Sequence, residues 1–159
     1  ADSYTASLEL NRRELEALPA KDREMVVYGR APMMISAGCV KKTAGICKLE
    51  RTQENLAQSA RAKRPAQGDP GFSLQDRYQA RFPIRVDCRH CMNIVYNSVP
   101  LSLHQYLQEI EDSGAMALRL DFTVESRTET QRVLDLFFGR IPVPEDYAYT
   151  TGHYKKGVQ

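Results

Sequence analysis

The sequence lacks any long uninterrupted run of apolar residues. Its purely apolar stretches are only a few residues long, whereas a membrane-spanning helix needs about 20. No charged-then-apolar leader opens the sequence, so we expect no secretory signal. The net charge is only +2, which by itself does not indicate a nucleic-acid partner. We therefore expect a cytoplasmic protein with no membrane partner.

The common hydrolase motifs are also missing. Neither the GxSxG motif of serine hydrolases nor the HExxH motif of zinc proteases occurs, so the usual protease chemistries have no support. The remaining composition is that of an ordinary globular protein, with 42% hydrophobic and 26% charged residues. At 159 residues the chain is long enough for one domain of the usual size.

Strand and helix patterns alternate along much of the chain. Strand–helix units are predicted over residues 4–18, 81–111 and 116–138, with a β-hairpin inserted in the second. Such alternation predicts a parallel sheet covered by helices. Because a closed eight-unit barrel needs about 250 residues, the sequence predicts either an open α/β sheet or part of a barrel.

Local patterns predict the individual elements. The apolar run at 24–29 predicts a buried strand. The leucines and the isoleucine of 101–110 share one helical face and predict a helix, and Thr128 is predicted to cap the next helix. Residues 51–64 predict a short helix, and 65–71 predict a loop.

Four cysteines give the sharpest signal in the sequence. Seven residues separate Cys39 from Cys47, and two separate Cys88 from Cys91. The CxxC spacing lets both sulfurs turn toward one ion, as in zinc knuckles and iron–sulfur loops. Because strand patterns flank the second pair, we expect a β-hairpin with thiols at its tip.

Three interpretations of these cysteines compete. They could be unrelated buried residues, or they could form disulfides, although a reducing cytosol disfavours the second. We favour four thiolates on one metal. Spacing alone leaves zinc and a [4Fe–4S] cluster both open, and the wide gap between Cys39 and Cys47 favours the cluster.

Charged residues near predicted strand ends are the other candidates. Glu9, Asp121 and Glu125 could act as acid and base, or could be caps and salt-bridge partners. Arg30 and Arg119 could bind a carboxylate or phosphate through two parallel hydrogen bonds, or could form ion pairs.

The three histidines are less informative. His90 lies inside the CxxC pair and could be a ligand, a proton donor or an exposed loop residue. His104 is expected on the surface, and His153 lies in the segment after the last helix, where it could sit near a site or be ordinary surface.

Basic residues are concentrated in one stretch. Residues 77–90 contain Arg77, Arg81, Arg85 and Arg89, opposed by two aspartates at 76 and 87. A solvated basic face explains this pattern, and a strip that faces phosphate or RNA is the alternative.

The run over 24–39 resembles the signature of the collagenase-like peptidase family of unknown catalytic type (peptidase family U, number thirty-two). That signature has an acidic residue, an apolar run, a glycine, a cysteine, and a second cysteine seven positions later. Gly29 and Cys39 occupy the positions of the glycine and the second cysteine, while Pro32 replaces the first. The resemblance implies that Cys39 is a metal ligand and that Cys47 substitutes for the missing first cysteine.

Further segments resemble this family in the same order along nearly the whole chain. They are Ser7–Asn11, Asp76–Arg77, Asn97–Ser98, Arg119–Asp121 and Thr150–Tyr154.

The resemblance implies a TIM-barrel-like catalytic domain. Residues 1–140 would be its C-terminal part, a partial barrel of β-α units with an inserted hairpin and a cysteine-rich loop. Residues 141–159 would lead toward a further domain, and the remainder of the same polypeptide would be a partner.

Relatives in this family imply the function. Some members were first called collagenases. Other members are linked to oxygen-independent hydroxylation of RNA bases or of the ubiquinone ring, and these carry a four-cysteine iron–sulfur cluster. We therefore expect hydroxylation of RNA or of a small aromatic substrate. The alternatives are a peptidase acting on collagen-like or extended peptides, and a non-catalytic zinc-stapled binding module.

The assigned roles are catalysis for Glu9, Asp121 and Arg119, substrate binding for Arg30, His90, Asn97 and Glu125, and metal binding for Cys39, Cys47, Cys88 and Cys91.

Overall fold

The computed structural model describes residues 3–45, 47 and 71–155. The predicted helix at 51–64 and most of the loop at 65–71 lie outside the described residues. The elements in chain order are β1 (Tyr4–Thr5), α1 (Arg12–Glu16), β2 (Arg23–Gly29), β3 (Pro32–Ser36), α2 (Val40–Thr43), β4 (Phe72–Gln75), β5 (Arg81–Asp87), β6 (Met92–Tyr96), β7 (Leu101–Ser102), a 3₁₀ turn (His104–Tyr106), α3 (Leu107–Asp112), β8 (Ala117–Asp121) and α4 (Arg127–Phe137).

The chain forms two compact units. Unit 1 contains residues 1–31 and 99–159, and unit 2 contains residues 32–98. Helices and strands are mixed, in agreement with the α/β class in its broad sense. The predicted all-parallel sheet is wrong, because the sheet of unit 1 includes an antiparallel pair and the sheet of unit 2 is antiparallel. No barrel closes within the described residues. In the same part of the chain, no helix is long and apolar enough to cross a membrane.

Strand β2 organises the sheet of unit 1. It pairs in parallel with β1 and β8, and antiparallel with β7. Its side chains are buried on both faces, as Met25, Val27 and Tyr28 show, which is typical of a strand covered on both sides. The apolar run in the sequence therefore predicted this strand correctly. Ile110 of α3 is also fully buried and joins the same core.

A buried arginine links the ends of two helices in unit 1. Arg23 is only 1% exposed. Its guanidinium donates to the carbonyl oxygens of Leu15 and Ser113, each at 2.6 Å, at the carboxyl ends of α1 and α3. These carbonyls carry the negative ends of the helix dipoles, so they offset the cost of burying the charge.

Three sequence predictions need correction. Strand β5 belongs to a strand–helix unit in the prediction, but it pairs antiparallel with β4 and β6 in unit 2, because short hairpin connections favour antiparallel neighbours. Leu101 and Ser102 form β7, not the start of a helix, since they hydrogen-bond with β2. Ser126, not Thr128, caps α4, because its Oγ accepts from the Glu129 amide in a capping box.

The segment after α4 docks on unit 1 as far as Lys155. The Ser102 amide donates to the Thr150 carbonyl, and the Thr150 amide donates to the Pro100 carbonyl, both at 2.9 Å. Tyr154 is buried, and its hydroxyl donates to Glu109. The further domain expected beyond this segment stays a prediction.

Unit 2 is built on a four-stranded antiparallel sheet in the order β3-β6-β5-β4. One face is apolar, because the registers align Phe72, Ile84, Val95 and Met34 across the four strands. Ile84 and Val95, on the two central strands, are buried.

Candidate functional site

The CxxC pair lies in the turn of the β5–β6 hairpin, as predicted. Asp87 and Met92 are the last paired residues, and the loop between them runs from Cys88 to Cys91. Asp87 organises this loop. Its Oδ1 accepts the amides of Arg89 and His90 at 2.9 and 3.4 Å, and its Oδ2 lies 2.8 Å from His90 Nδ1. The contact with His90 is the main cause that lowers the pKa of Asp87.

All four cysteines lie in unit 2 and are thiols, not disulfides. Cys88 and Cys91 are exposed, Cys47 is half-buried, and Cys39 is buried at the amino end of α2. The disulfide interpretation therefore has no support within the described residues.

A buried asparagine holds the segment that carries Cys39. Asn93 of β6 is 2% exposed. Its Oδ1 accepts the Val40 amide at 3.2 Å, and its Nδ2 donates to the Gly38 carbonyl. One side chain thus fixes the peptide groups on both sides of Cys39. The cysteine spacing gives no indication of Asn93, although a polar side chain inside an apolar strand is a signal in the sequence.

The donor set suits a soft metal, because thiolates select zinc and iron–sulfur clusters. The described residues do not form a metal site. Among them, no three cysteine, histidine, aspartate or glutamate side chains are close enough together to hold one ion. The four-cysteine centre therefore stays a prediction.

In unit 1, a buried carboxylate lies beyond the carboxyl end of β8. The Glu125 side chain is 3% exposed. Its Oε2 accepts the amides of Thr123 and Val124 at 2.7 and 3.1 Å. Its Oε1 accepts the Tyr28 hydroxyl at 3.2 Å and lies 3.4 Å from Arg30 Nε. The structure therefore brings together two of the predicted substrate-binding residues, Arg30 and Glu125.

The close approach of β2 and β8 positions this carboxylate. Gly29 and Asp121 are paired at the ends of the two parallel strands. A Cβ on Gly29, whose φ is +157°, would lie 3.0 Å from the Asp121 carbonyl oxygen, which is tighter than most packed contacts. Glycine is therefore favoured here. Carboxyl ends of parallel strands are the usual place for binding groups in α/β proteins.

A second polar group surrounds His104. The Tyr147 hydroxyl donates to Ser102 Oγ at 3.0 Å, and Ser102 Oγ lies 2.9 Å from His104 Nδ1. The rings of Tyr149, Tyr147 and Phe137 approach the imidazole edge-on. Burial lowers the pKa of His104. The expectation of a surface histidine is therefore wrong, because α4 supplies one of its aromatic neighbours and the docked segment after α4 supplies the other two.

The pKa of Tyr28 is affected by residues of both groups, the one around Glu125 and the one around His104. Burial is the main cause that raises the pKa of Tyr28, and the nearby Glu125 and Tyr147 raise it further. Burial likewise raises the pKa of Tyr147. Both phenols therefore keep their protons at neutral pH and act as hydrogen-bond donors.

The predicted catalytic residues are not joined by the contacts described. Arg119 pairs with Glu24 at 3.2 Å on an exposed face. Glu9 is exposed, and its side chain makes no ion pair within the described part of the chain. Asp121 is exposed at the end of β8. Asn97 is half-buried just beyond β6.

Comparison of the chain with known protein families, with curated protein sequences and with solved structures finds no match. The resemblance rests on the motif residues quoted above. The function therefore has to be argued from the chemistry of the sites and not from the fold.

Proposed function

We propose that Cys39, Cys47, Cys88 and Cys91 ligate one metal centre, an iron–sulfur cluster. The protein would belong to the collagenase-like family that the sequence resembles, and would catalyse oxygen-independent hydroxylation of RNA bases or of a small aromatic substrate. One observation carries the proposal: all four thiols lie in one compact unit, and two of them lie on a hairpin tip ordered by Asp87.

The tether through Asn93 supports convergence of the two cysteine pairs. Asn93 is two residues after Cys91 on the same chain, a separation of about 7 Å along a strand. Its side chain holds both peptide groups that flank Cys39. Cys39 is therefore held near the end of β6 that adjoins the cysteine turn.

An iron–sulfur cluster, once bound, supplies electron transfer. Arg30 of unit 1 would contact the substrate. Glu125 is saturated by hydrogen bonds, so it acts as a positioning residue for Arg30 and not as a proton donor. Arg30 is suited to a planar or anionic group because its guanidinium presents several donors in one plane. Tyr28 supplies a protonated hydroxyl beside it.

Glu9, Asp121 and Arg119 remain the proposed catalytic residues, and His90 and Asn97 are proposed to contact substrate. Asp121 is the best placed of the acidic pair, since it ends β8 beside Gly29. A peptidase is the alternative reaction, and a zinc-stapled module is the alternative without catalysis.

Metal analysis and a visible spectrum of the chain purified without air test the proposal. We expect a brown protein with about four irons per chain. A colourless protein with one zinc keeps the site and rejects the cluster and the hydroxylation. A protein with neither metal, before and after anaerobic reconstitution, rejects the site. Cleavage of gelatin that survives removal of metal would favour the peptidase.

A further inference from the structure

One face of the unit 2 sheet carries a row of exposed arginines. Arg81 and Arg85 are both on β5 and both exposed, while Ile84 between them is buried. Side chains alternate between the two faces of a strand, so the two arginines share the face opposite the apolar one. Four residues of strand place them about 13–14 Å apart.

The turns at both ends of β5 carry two more exposed arginines. Arg77 lies in the β4–β5 turn and Arg89 in the β5–β6 turn, and both are exposed. In the described part of the chain, no carboxylate lies within ion-pair distance of Arg77, Arg81, Arg85 or Arg89. We refer to these four residues as the arginine strip.

The two aspartates near the strip do not neutralise it. The Asp76 Oδ1 accepts the amides of Tyr78 and Ala80 at 2.8 and 2.9 Å. Asp87 accepts the amides of its own turn and contacts His90. Both carboxylates are held by groups of their own turns, and neither forms an ion pair with an arginine of the strip.

An aromatic ring lies at one end of the strip. Tyr78 is 73% exposed, and the Arg77 guanidinium carbon lies 4.7 Å from the centre of its ring. Its exposed face is a stacking surface for a planar group.

We infer that the arginine strip and Tyr78 bind single-stranded RNA, with the arginines on the backbone phosphates and a base stacked on the Tyr78 ring. The inference deepens the proposed function and rests on it for RNA as the substrate. Proteins that bind single strands combine a positive track with exposed aromatic rings, and β5 presents both. An acidic protein surface would use the arginines but would have no need for the tyrosine.

Fluorescence anisotropy of a labelled oligouridylate of about 12 nucleotides, titrated with the full chain at several salt concentrations, tests the inference. We expect log K to fall with log salt by about 0.7 for each phosphate contacted. The double variant R81Q/R85Q should bind more weakly and should lower that slope by about 1.4. Tyr78→Ala should weaken binding roughly 5- to 150-fold, the range of one stacked base.

The chain offers a matched control. Arg132 and Arg140 are exposed arginines of unit 1 that pair with Asp146 and Asp135, so R132Q/R140Q removes the same charge elsewhere and should leave binding unchanged. Equal losses in both double variants, or an R81Q/R85Q variant that binds like the unaltered chain, would overturn the inference. Competition by polyglutamate as strong as by RNA would overturn the nucleic-acid assignment.

The metal content of the R81Q/R85Q variant should be unaltered. This measurement distinguishes failure of the arginine strip from failure of the metal centre.

Discussion

Glu125 and Arg23 are two buried charges that unit 1 compensates in different ways. Glu125 accepts two backbone amides and the Tyr28 hydroxyl, and pairs with Arg30. The charge of Arg23 is stabilised by hydrogen bonds to carbonyl groups at the ends of two helices. Only the first arrangement includes a side chain of opposite charge, so only Glu125 fixes another functional group in place.

Replacing Glu125 by glutamine should destabilise the protein by about 3 kcal/mol, the usual cost of breaking a buried ion pair. The amide retains one acceptor oxygen, but its NH₂ group faces the donors that Glu125 satisfied. Urea denaturation measures the change. Glu145→Gln is the control, because Glu145 is exposed. Equal stabilities of the two variants would contradict the role assigned to Glu125.

His104 should make stability depend on pH. Burial lowers its pKa below the ordinary 6.5, so the unfolded chain binds a proton more readily than the folded chain. Its contribution is therefore complete above pH 6.5 and is lost as the pH falls below that value. The neighbouring Tyr147 does not titrate in this window because its pKa is raised.

Melting temperatures between about pH 7.5 and 5 measure this effect. His104→Phe keeps an aromatic ring and should show a smaller loss of stability on acidification than the unaltered chain. His153→Phe should retain the full loss. An unchanged pH dependence in His104→Phe would show that burial does not depress the pKa.

The two turns flanking β5 use the same chemistry. Asp76 and Asp87 each accept backbone amides of the turn that follows. Only the second turn carries cysteines, and only Asp87 also contacts a histidine. Substitutions of Asp76 and Asp87 can therefore distinguish the effect of an ordered turn from the effect of an ordered cysteine loop.

Asp87→Ala should weaken metal retention by roughly tenfold, the lower end of the effect of groups that support metal ligands. Asp76→Ala should leave metal retention unchanged, although both substitutions remove a turn cap of similar kind. Competition with a chelator, followed by metal analysis, measures the retention. Equal losses in the two variants would mean that turn stability and not the cysteine loop controls binding.

The sequence predicted those elements that local interactions determine. The strand at 24–29 and the hairpin with thiols at its tip are both present, because each is set by residues close together in the chain. The strand at Leu101 and the docked segment around Thr150 were not predicted, since their hydrogen bonds join distant parts of unit 1.

The same reason limits prediction of the sites. Glu125 and Arg30 stood out as charged residues near strand ends, and the structure pairs them. Tyr28, Ser102 and Tyr147 were missed because they lie far apart in the sequence, and only the fold brings them together. In the proposed metal centre, the metal itself would draw the four thiols together, and sequence spacing carries no information on that contribution.

Counting the protected thiols tests most directly whether the four cysteines share one metal. The chain is purified without air, alkylated under native conditions and weighed by mass spectrometry, before and after removal of metal by a chelator. We expect Cys39, Cys47, Cys88 and Cys91 to be protected together in the loaded chain and to react together in the stripped chain. Alkylation of Cys88 and Cys91 at the same rate in both states would contradict the metal centre.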